Sequence, residues 1–272
     1  MKIVTFWGGL GNQIMEYAYV QWLSKQYPTE KIYGFYPKVG LSDHNGLEIQ
    51  KWFEVSLPQT TVLSNLVGNS FFLVGRLFAK LKFPKPFTCT MRQFKTDRMF
   101  HCDYWQDLKF MPESFSLKYR NFPINAKNQR LLNRIQTENA IAVHIRRGDF
   151  LKPHTHKRYG NICTEKYYKE ALDFMMNDVE KPLFVFFSDD AEYCKQTYRM
   201  ENMIVVDWNK GEDSFFDMYL MSHCPYMILA NSTFSYWAAR LNKRARKIIC
   251  PERWVNGASL NLSLESWKVC NS

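Results

Sequence analysis

Three short stretches of this 272-residue chain place anion-binding and hydroxyl-binding groups directly after apolar runs. HIRRGDF follows IAV, SDD follows LFVFF, and NSTFS follows YMILA. Arg146 and Arg147 offer fixed forks of N–H donors that match phosphate oxygens. Ser232, Thr233 and Ser235 lie where a helix is expected to begin, so hydroxyls and backbone N–H groups can meet the same anion. Asp189 and Asp190 only accept hydrogen bonds, which suits a guanine edge or ribose hydroxyls and not a phosphate. Each element also has a plainer reading. Adjacent arginines form surface ion pairs, Ser232 and Thr233 cap helices, and His144 inside an apolar run fits a hydrogen-bonded core histidine as well as a nucleotide contact. What favours a site is the conjunction at three run ends.

A fourth stretch, FWGGLGNQIMEYAY, sets Gly8, Gly9 and Gly11 between an apolar run and a segment of helical spacing. Such a loop lets a ligand approach the backbone closely. Metal chemistry has little to work with. No D-x-D triplet occurs, the nearest being Asp190-Ala-Glu192, and His154 and His156 are two candidate ligands without a third, read as loop residues. Charge stabilisation by arginine is the expected substitute, with Asp149 as candidate general base and Glu16 as its competitor.

The elements that must position these groups follow from periodicity. Ile3 to Phe6 reads as a strand, Asn12 to Gln26 as a helix and Lys31 to Tyr36 as a second strand. Residues 47–82 look helical in pieces, and Pro84, Pro86, Pro112 and Pro123 punctuate a stretch whose order the pattern does not give. From Ala140 onward, IAVHI, LFVFF, MIVV, YMILA and KIIC alternate with four segments of helical spacing, as a doubly wound parallel sheet requires. Ligands of such sheets bind at the carboxyl ends of the strands, where the three stretches above fall. The reading is an α/β protein of two domains, 1–138 and 139–272, divided at the polar stretch around Asn133 to Asn139.

Composition narrows the partners. Lysine and arginine number 36 against 26 acids, a formal charge of +10, which favours an anionic partner. Arg76 to Arg98 and RLNKRARK, Arg240 to Lys247, concentrate the excess. Seven cysteines without a C-x-x-C pair suggest reduced, mostly buried thiols in a cytoplasmic protein, and the first residues make a poor signal peptide. FFLVGRLFAKLKF is too interrupted by basic residues to span a membrane by this reading; it either packs on the fold as an amphipathic helix or makes a peripheral contact at the inner face of the plasma membrane.

Taken together, HIRRGDF, GGLGNQ, DMYLMSHC and NSTFSYWAARLN resemble the bacterial α-1,2-fucosyltransferases and their wider relatives, the α-1,6- and protein O-fucosyltransferases. The resemblance implies a GT-B fold, two Rossmann-like halves facing across a cleft, and an inverting, metal-independent transfer of L-fucose from GDP-β-L-fucose, with no cofactor. It implies that Arg146 binds the donor β-phosphate and is needed for activity, with Arg147 beside it. His144 would contact the nucleotide, Asp217 the guanine side, and Ser232, Thr233 and Ser235 the phosphates. Asn12 would reach the donor from the opposite half, and the loop of Gly9, Gly11 and Gln13 would lie on the acceptor side. The acceptor implied is the 2-hydroxyl of a galactose in an oligosaccharide or lipid-linked glycan. Eukaryotic members carry a G-R-F-G-N-Q version where this chain has Gly9 and Leu10, so that arginine's contact does not transfer. Two other classes compete. A dinucleotide oxidoreductase lacks its third glycine at Ile14 and an acid after KIYGFY; a non-catalytic nucleic-acid or membrane module would explain the charge alone.

Overall fold

A computed structural model describes residues 1–83 and 87–270, so the prolines at 84 and 86 lie outside the described residues. The chain divides into two compact units, Met1–Asn121 and Phe122–Ser272.

In the first unit, β1 (Lys2–Thr5), α1 (Leu10–Gln26) and β2 (Ile32–Phe35) form a parallel β-α-β start. Two short helical turns follow, α2 (Lys38–Leu41) and α3 (Ile49–Trp52), then the long helix α4 (Val62–Lys80) and the two-residue strands β3 (Thr88–Cys89) and β4 (Phe100–His101). The sheet order is β2-β1-β4-β3, parallel throughout. Its two faces are covered differently. Val4 and Phe6 pack with Tyr19 and Leu23 of α1 and with Trp105, whose ring stacks on Tyr19 at 3.6 Å. Ile3, Phe35 and Phe100 pack with Val67, Phe71 and Phe72 of α4.

The second unit opens with α5 (Ala126–Thr137), then β5 (Asn139–Ile145), α6 (Pro153–Tyr159), α7 (Glu165–Asp178), β6 (Pro182–Ser188), α8 (Ala191–Thr197), β7 (Met203–Val206), α9 (Phe215–Met221), β8 (Tyr226–Ile228), α10 (Thr233–Leu241), β9 (Lys247–Pro251) and β10 (Lys268–Cys270). The sheet is parallel, in the order β10-β9-β8-β5-β6-β7. Order reverses on either side of β5, and the crevice at the carboxyl ends of β5 and β8 is where such sheets take ligands.

The unit boundary corrects the expected division at 138/139. Helix α5 belongs to the second unit because Leu131, Leu132 and Ile135 are buried there and Asn128 is bonded to Asn209 and Trp208. Its apolar residues are few, so the segment reads as a polar linker. His154 and His156, expected in a loop, lie in α6. Phe150 stacks on Tyr159 at 5.0 Å, while Asn231 Nδ2 donates to the Tyr159 carbonyl and the Asn256 backbone N–H to that of Arg158.

Candidate active site

Strand β5 ends at Ile145, so Arg146 and Arg147 leave the sheet at its carboxyl edge, next to the end of β6, where Asp189 and Asp190 stand. Arg146 is gripped on two sides. Its Nε and Nη2 donate to Asp149 Oδ1 at 2.9 and 2.7 Å, and Nε lies 3.2 Å from Asp189 Oδ2. Asp189 also accepts from the Arg147 backbone N–H at 2.9 Å. The Arg147 guanidinium pairs with Asp190 Oδ2 at 3.2 Å and lies over the Tyr193 ring, 3.6 Å from its centroid. Asp190 accepts in turn from Tyr193 N–H as the N-cap of α8. The carboxylates expected to read guanine or ribose are therefore engaged in aiming the arginines, and Asp149, the candidate base, is engaged with Arg146 in the same way. Gly148 permits this approach: a Cβ there would sit 2.5 Å from Asp189 Oδ2.

His144 is buried one residue before the strand ends, beside the Phe234 ring at 5.9 Å. Burial, and secondarily Arg146, hold its pKa down to about 3, so the ring is neutral at physiological pH. Its Nδ1 is buried without a hydrogen-bond partner among the described residues. A buried orphan of this kind is uncommon and marks a place where a bound molecule can supply the missing partner.

Helix α10 starts beside this group. Ser232 caps it, its Oγ accepting from Phe234 N–H at 3.3 Å, and Thr233 opens its first turn. Ser235, expected to face phosphate, is fully buried and its Oγ lies within hydrogen-bonding distance of the Ala230 and Ser232 carbonyls, so its role is structural. Asn231, which sequence reasoning passed over within NSTFS, lines one cavity with Arg146, Arg147, His156, Tyr159 and Tyr168. Tyr193 was equally invisible, since nothing in sequence spacing ties residue 193 to residue 147.

Asp217 is placed differently from the arginine cluster. Its carboxyl accepts from Asn209 Nδ2 at 2.8 Å, within a polar knot that also holds Asn128 and Trp208. Burial pushes its pKa up to about 8, against which the Asn209 bond acts weakly. Because the folded value lies above the ordinary carboxylate value, its contribution to stability is full below about pH 4 and is lost as pH rises through about 8. Asp217→Asn is expected to raise Tm at pH 8.5 by at least about 4 °C while changing it little at pH 4, measured by calorimetry. Equal shifts at both pH values would contradict the assignment.

In the first unit, the glycine loop turns from β1 into α1, with Gly8 at φ +73° and Gly9 at the N-cap. Gly11 lies in the first helical turn, and Asn12 Oδ1 accepts from Gln106 at 2.9 Å. Gln13 is fully buried, donating to the Gly8 and Gly46 carbonyls and accepting from the Glu48 and Ile49 N–H groups. It fastens the loop and offers no atom to an acceptor. Glu16 is also fully buried, with Oε2 accepting from Trp7 N–H at 3.0 Å, and burial raises its pKa well above the usual range. A carboxyl enclosed in this way and already bonded to the Trp7 N–H has no opening onto an acceptor hydroxyl. No group of three or more His, Cys, Asp or Glu suited to a metal is gathered among the described residues.

The model for glycosyl transferase family 11 matches residues 2–268. The chain belongs to glycosyl transferase family 11. It is therefore a glycosyltransferase, and the oxidoreductase and non-catalytic readings fall. Over 93% of its length this family 11 chain is 29% identical to an alpha-1,2-colitosyltransferase of Escherichia coli, covering 92% of that protein. It is 32% identical to the O-antigen biosynthesis glycosyltransferase WbnK of Escherichia coli over 60% of the chain and 58% of that protein. A galactoside alpha-(1,2)-fucosyltransferase 1 of Ateles belzebuth is 31% identical over 37% of the chain and 28% of its own length. The fold is α/β of the GT-B type. A glycosyl transferase family 9 structure from Veillonella parvula DSM 2008 shares it at a TM-score of 0.50 and 13% identity, covering 99% of this chain and 86% of that one.

Proposed function

We propose that this family 11 enzyme transfers L-fucose, with inversion, from GDP-β-L-fucose to the 2-hydroxyl of a galactose in a glycan acceptor. The observation that carries the reading is the arginine pair at the carboxyl end of β5, clamped by three carboxylates and set beside the neutral His144, whose Nδ1 has no partner among the described residues. As the bond between the anomeric carbon and the diphosphate breaks, negative charge grows on the leaving β-phosphate. Arg146, already oriented, meets that charge without reorganising. The acceptor oxygen attacks from the opposite face and its proton passes to a base. Asp149 is placed to serve only if Arg146 turns from it toward the phosphate, which the loaded donor would induce. His144 Nδ1 and the α10 N-terminus would complete the nucleotide's polar contacts.

The 1,2-linkage is the point on which the colitosyltransferase and galactoside fucosyltransferase relatives agree. The colitosyltransferase, matched over most of the chain, supports a second reading in which the sugar is colitose and the site and chemistry are otherwise the same. Unbridged cysteines, five of them buried, suit the reducing cytoplasm that holds nucleotide sugars.

The test supplies GDP-fucose and GDP-colitose in turn to galactose-terminated oligosaccharides, with linkage analysis of the product. Fucosylation at O2 of galactose is expected, with turnover unchanged in excess chelator, because arginine takes the role a divalent cation would fill. Transfer from GDP-colitose alone would replace the donor assignment. Loss of activity on chelation, restored by manganese or magnesium, would refute metal independence.

A further inference from the structure

Helix α4 is apolar on two sides, and only one of them is used by the fold. Its inner side is tied down: Ser64, Gly68 and Gly75 are buried, and a Cβ on Gly68 would stand 2.5 Å from the Phe35 ring. Its outer side carries Val62, Leu66, Leu73 and Leu77, spaced at four and seven residues, with Leu63 alongside. These five are 56–79% exposed, and Leu81, Phe83 and Phe87 just beyond the helix are 56–65% exposed. Isolated exposed leucines are ordinary, but five exposed aliphatic side chains on one side of a helix, interrupted only at Asn69 and Ser70, mark a surface made for contact.

The charge around the stripe says what it contacts. Arg76, Lys80 and Lys82 are exposed beside it, and the sequence contains no acidic residue between Glu54 and Asp97. The two polar side chains that interrupt the stripe bond within the helix: Asn69 Nδ2 donates to the Asn65 carbonyl and Ser70 Oγ to that of Leu66. Entry of this face into an interfacial layer therefore strands few polar groups. A protein partner for an apolar stripe needs no such surplus of cations, whereas an anionic lipid surface rewards both features together.

We propose that α4 lies flat on an anionic phospholipid membrane, with Leu66, Leu73 and Leu77 in the acyl boundary and Arg76, Lys80 and Lys82 among the headgroups. The helix is long and apolar enough to cross a bilayer, its 19 residues reaching about 28 Å. Crossing is excluded by its inner side, since Phe35, Phe71, Phe72 and Phe100 hold it along the sheet face.

The full chain would be cosedimented with vesicles of phosphatidylcholine alone and of equal phosphatidylcholine and phosphatidylglycerol. Binding to the anionic vesicles is expected to exceed binding to the neutral ones at least tenfold. Leu66→Gln, Leu73→Gln and Leu77→Gln combined should lose it at least tenfold, and Arg76→Gln, Lys80→Gln and Lys82→Gln combined should erase the lipid preference. Because the leucine variant could fold poorly, Leu73→Trp provides a separate reading: its added fluorescence is expected to be quenched by brominated acyl chains in anionic vesicles. The proposal is overturned if the chain ignores both vesicles, if the leucine variant binds as before, or if the indole fluorescence introduced by Leu73→Trp escapes quenching. It is overturned equally if sedimentation shows a dimer that the leucine variant converts to monomer, because the stripe would then be covered by a second copy.

Discussion

Arg146→Ala is expected to lower kcat/KM by at least about a hundredfold, or about 2.7 kcal/mol of transition-state stabilisation, in a protein that melts where the parent does. The loss has two sources. The guanidinium that would meet the growing phosphate charge is gone, and Asp149 and Asp189, which it now engages at 2.7 and 3.2 Å, are left facing that charge unneutralised. Arg146→Lys should recover little, because one ammonium cannot reach both carboxylates and a phosphate in a fork. Adding Asp189→Asn to Arg146→Ala should restore part of the activity by removing one repulsive charge. Steady-state kinetics with donor and acceptor varied separately would decide it, and an alanine variant with near-normal turnover would remove Arg146 from the mechanism.

Gln13→Ala is expected to destabilise the first unit by about 3–5 kcal/mol, lowering its melting transition by at least about 10 °C. Its amide makes four hydrogen bonds, three of them buried, joining the Gly8 carbonyl to that of Gly46 and to the N–H groups that open α3. Removing it strands two donors and two acceptors in the interior. Gln13→Leu fills the same volume and should do nearly as much damage, which separates lost hydrogen bonding from lost packing. Calorimetry would check this, with the transition of the second unit as internal reference; shifts below about 2 °C in both variants would mean the amide is dispensable.

The strands of the second unit and its arginine motif were legible because buried parallel strands are short unbroken apolar runs and the reactive groups sit at their ends. The runs at 141–145, 183–187, 203–206 and 247–250 all fall in strands. Helix α5 was not legible, since only Leu131, Leu132 and Ile135 supply its apolar face, and β3, β4 and β10 are too short to show a period. Partners were harder than positions. That Asp189 and Asp190 steer arginines, that Ser235 turns into its own helix and that Gln13 is a fastener all depend on contacts that local spacing does not encode. Spacing identifies which groups can bond and leaves open which of them are already taken.

The strand order of the first unit also bears on how the protein is made. β1 leaves the ribosome well before the strand beside it, because its Ile3 and Val4 pair on one side with Phe100 and His101. At translation rates of roughly 5–20 residues per second, that side stays open for about 5–20 s, while α1, β2 and the doubly apolar α4 are already outside the tunnel. A nascent chain whose residues 100 and 101 are still inside the tunnel thus presents an unpaired strand edge together with the emerging α4. Holding such a chain soluble is work for a chaperone, and expression yield is expected to depend more on events during those seconds than on the stability of the finished fold.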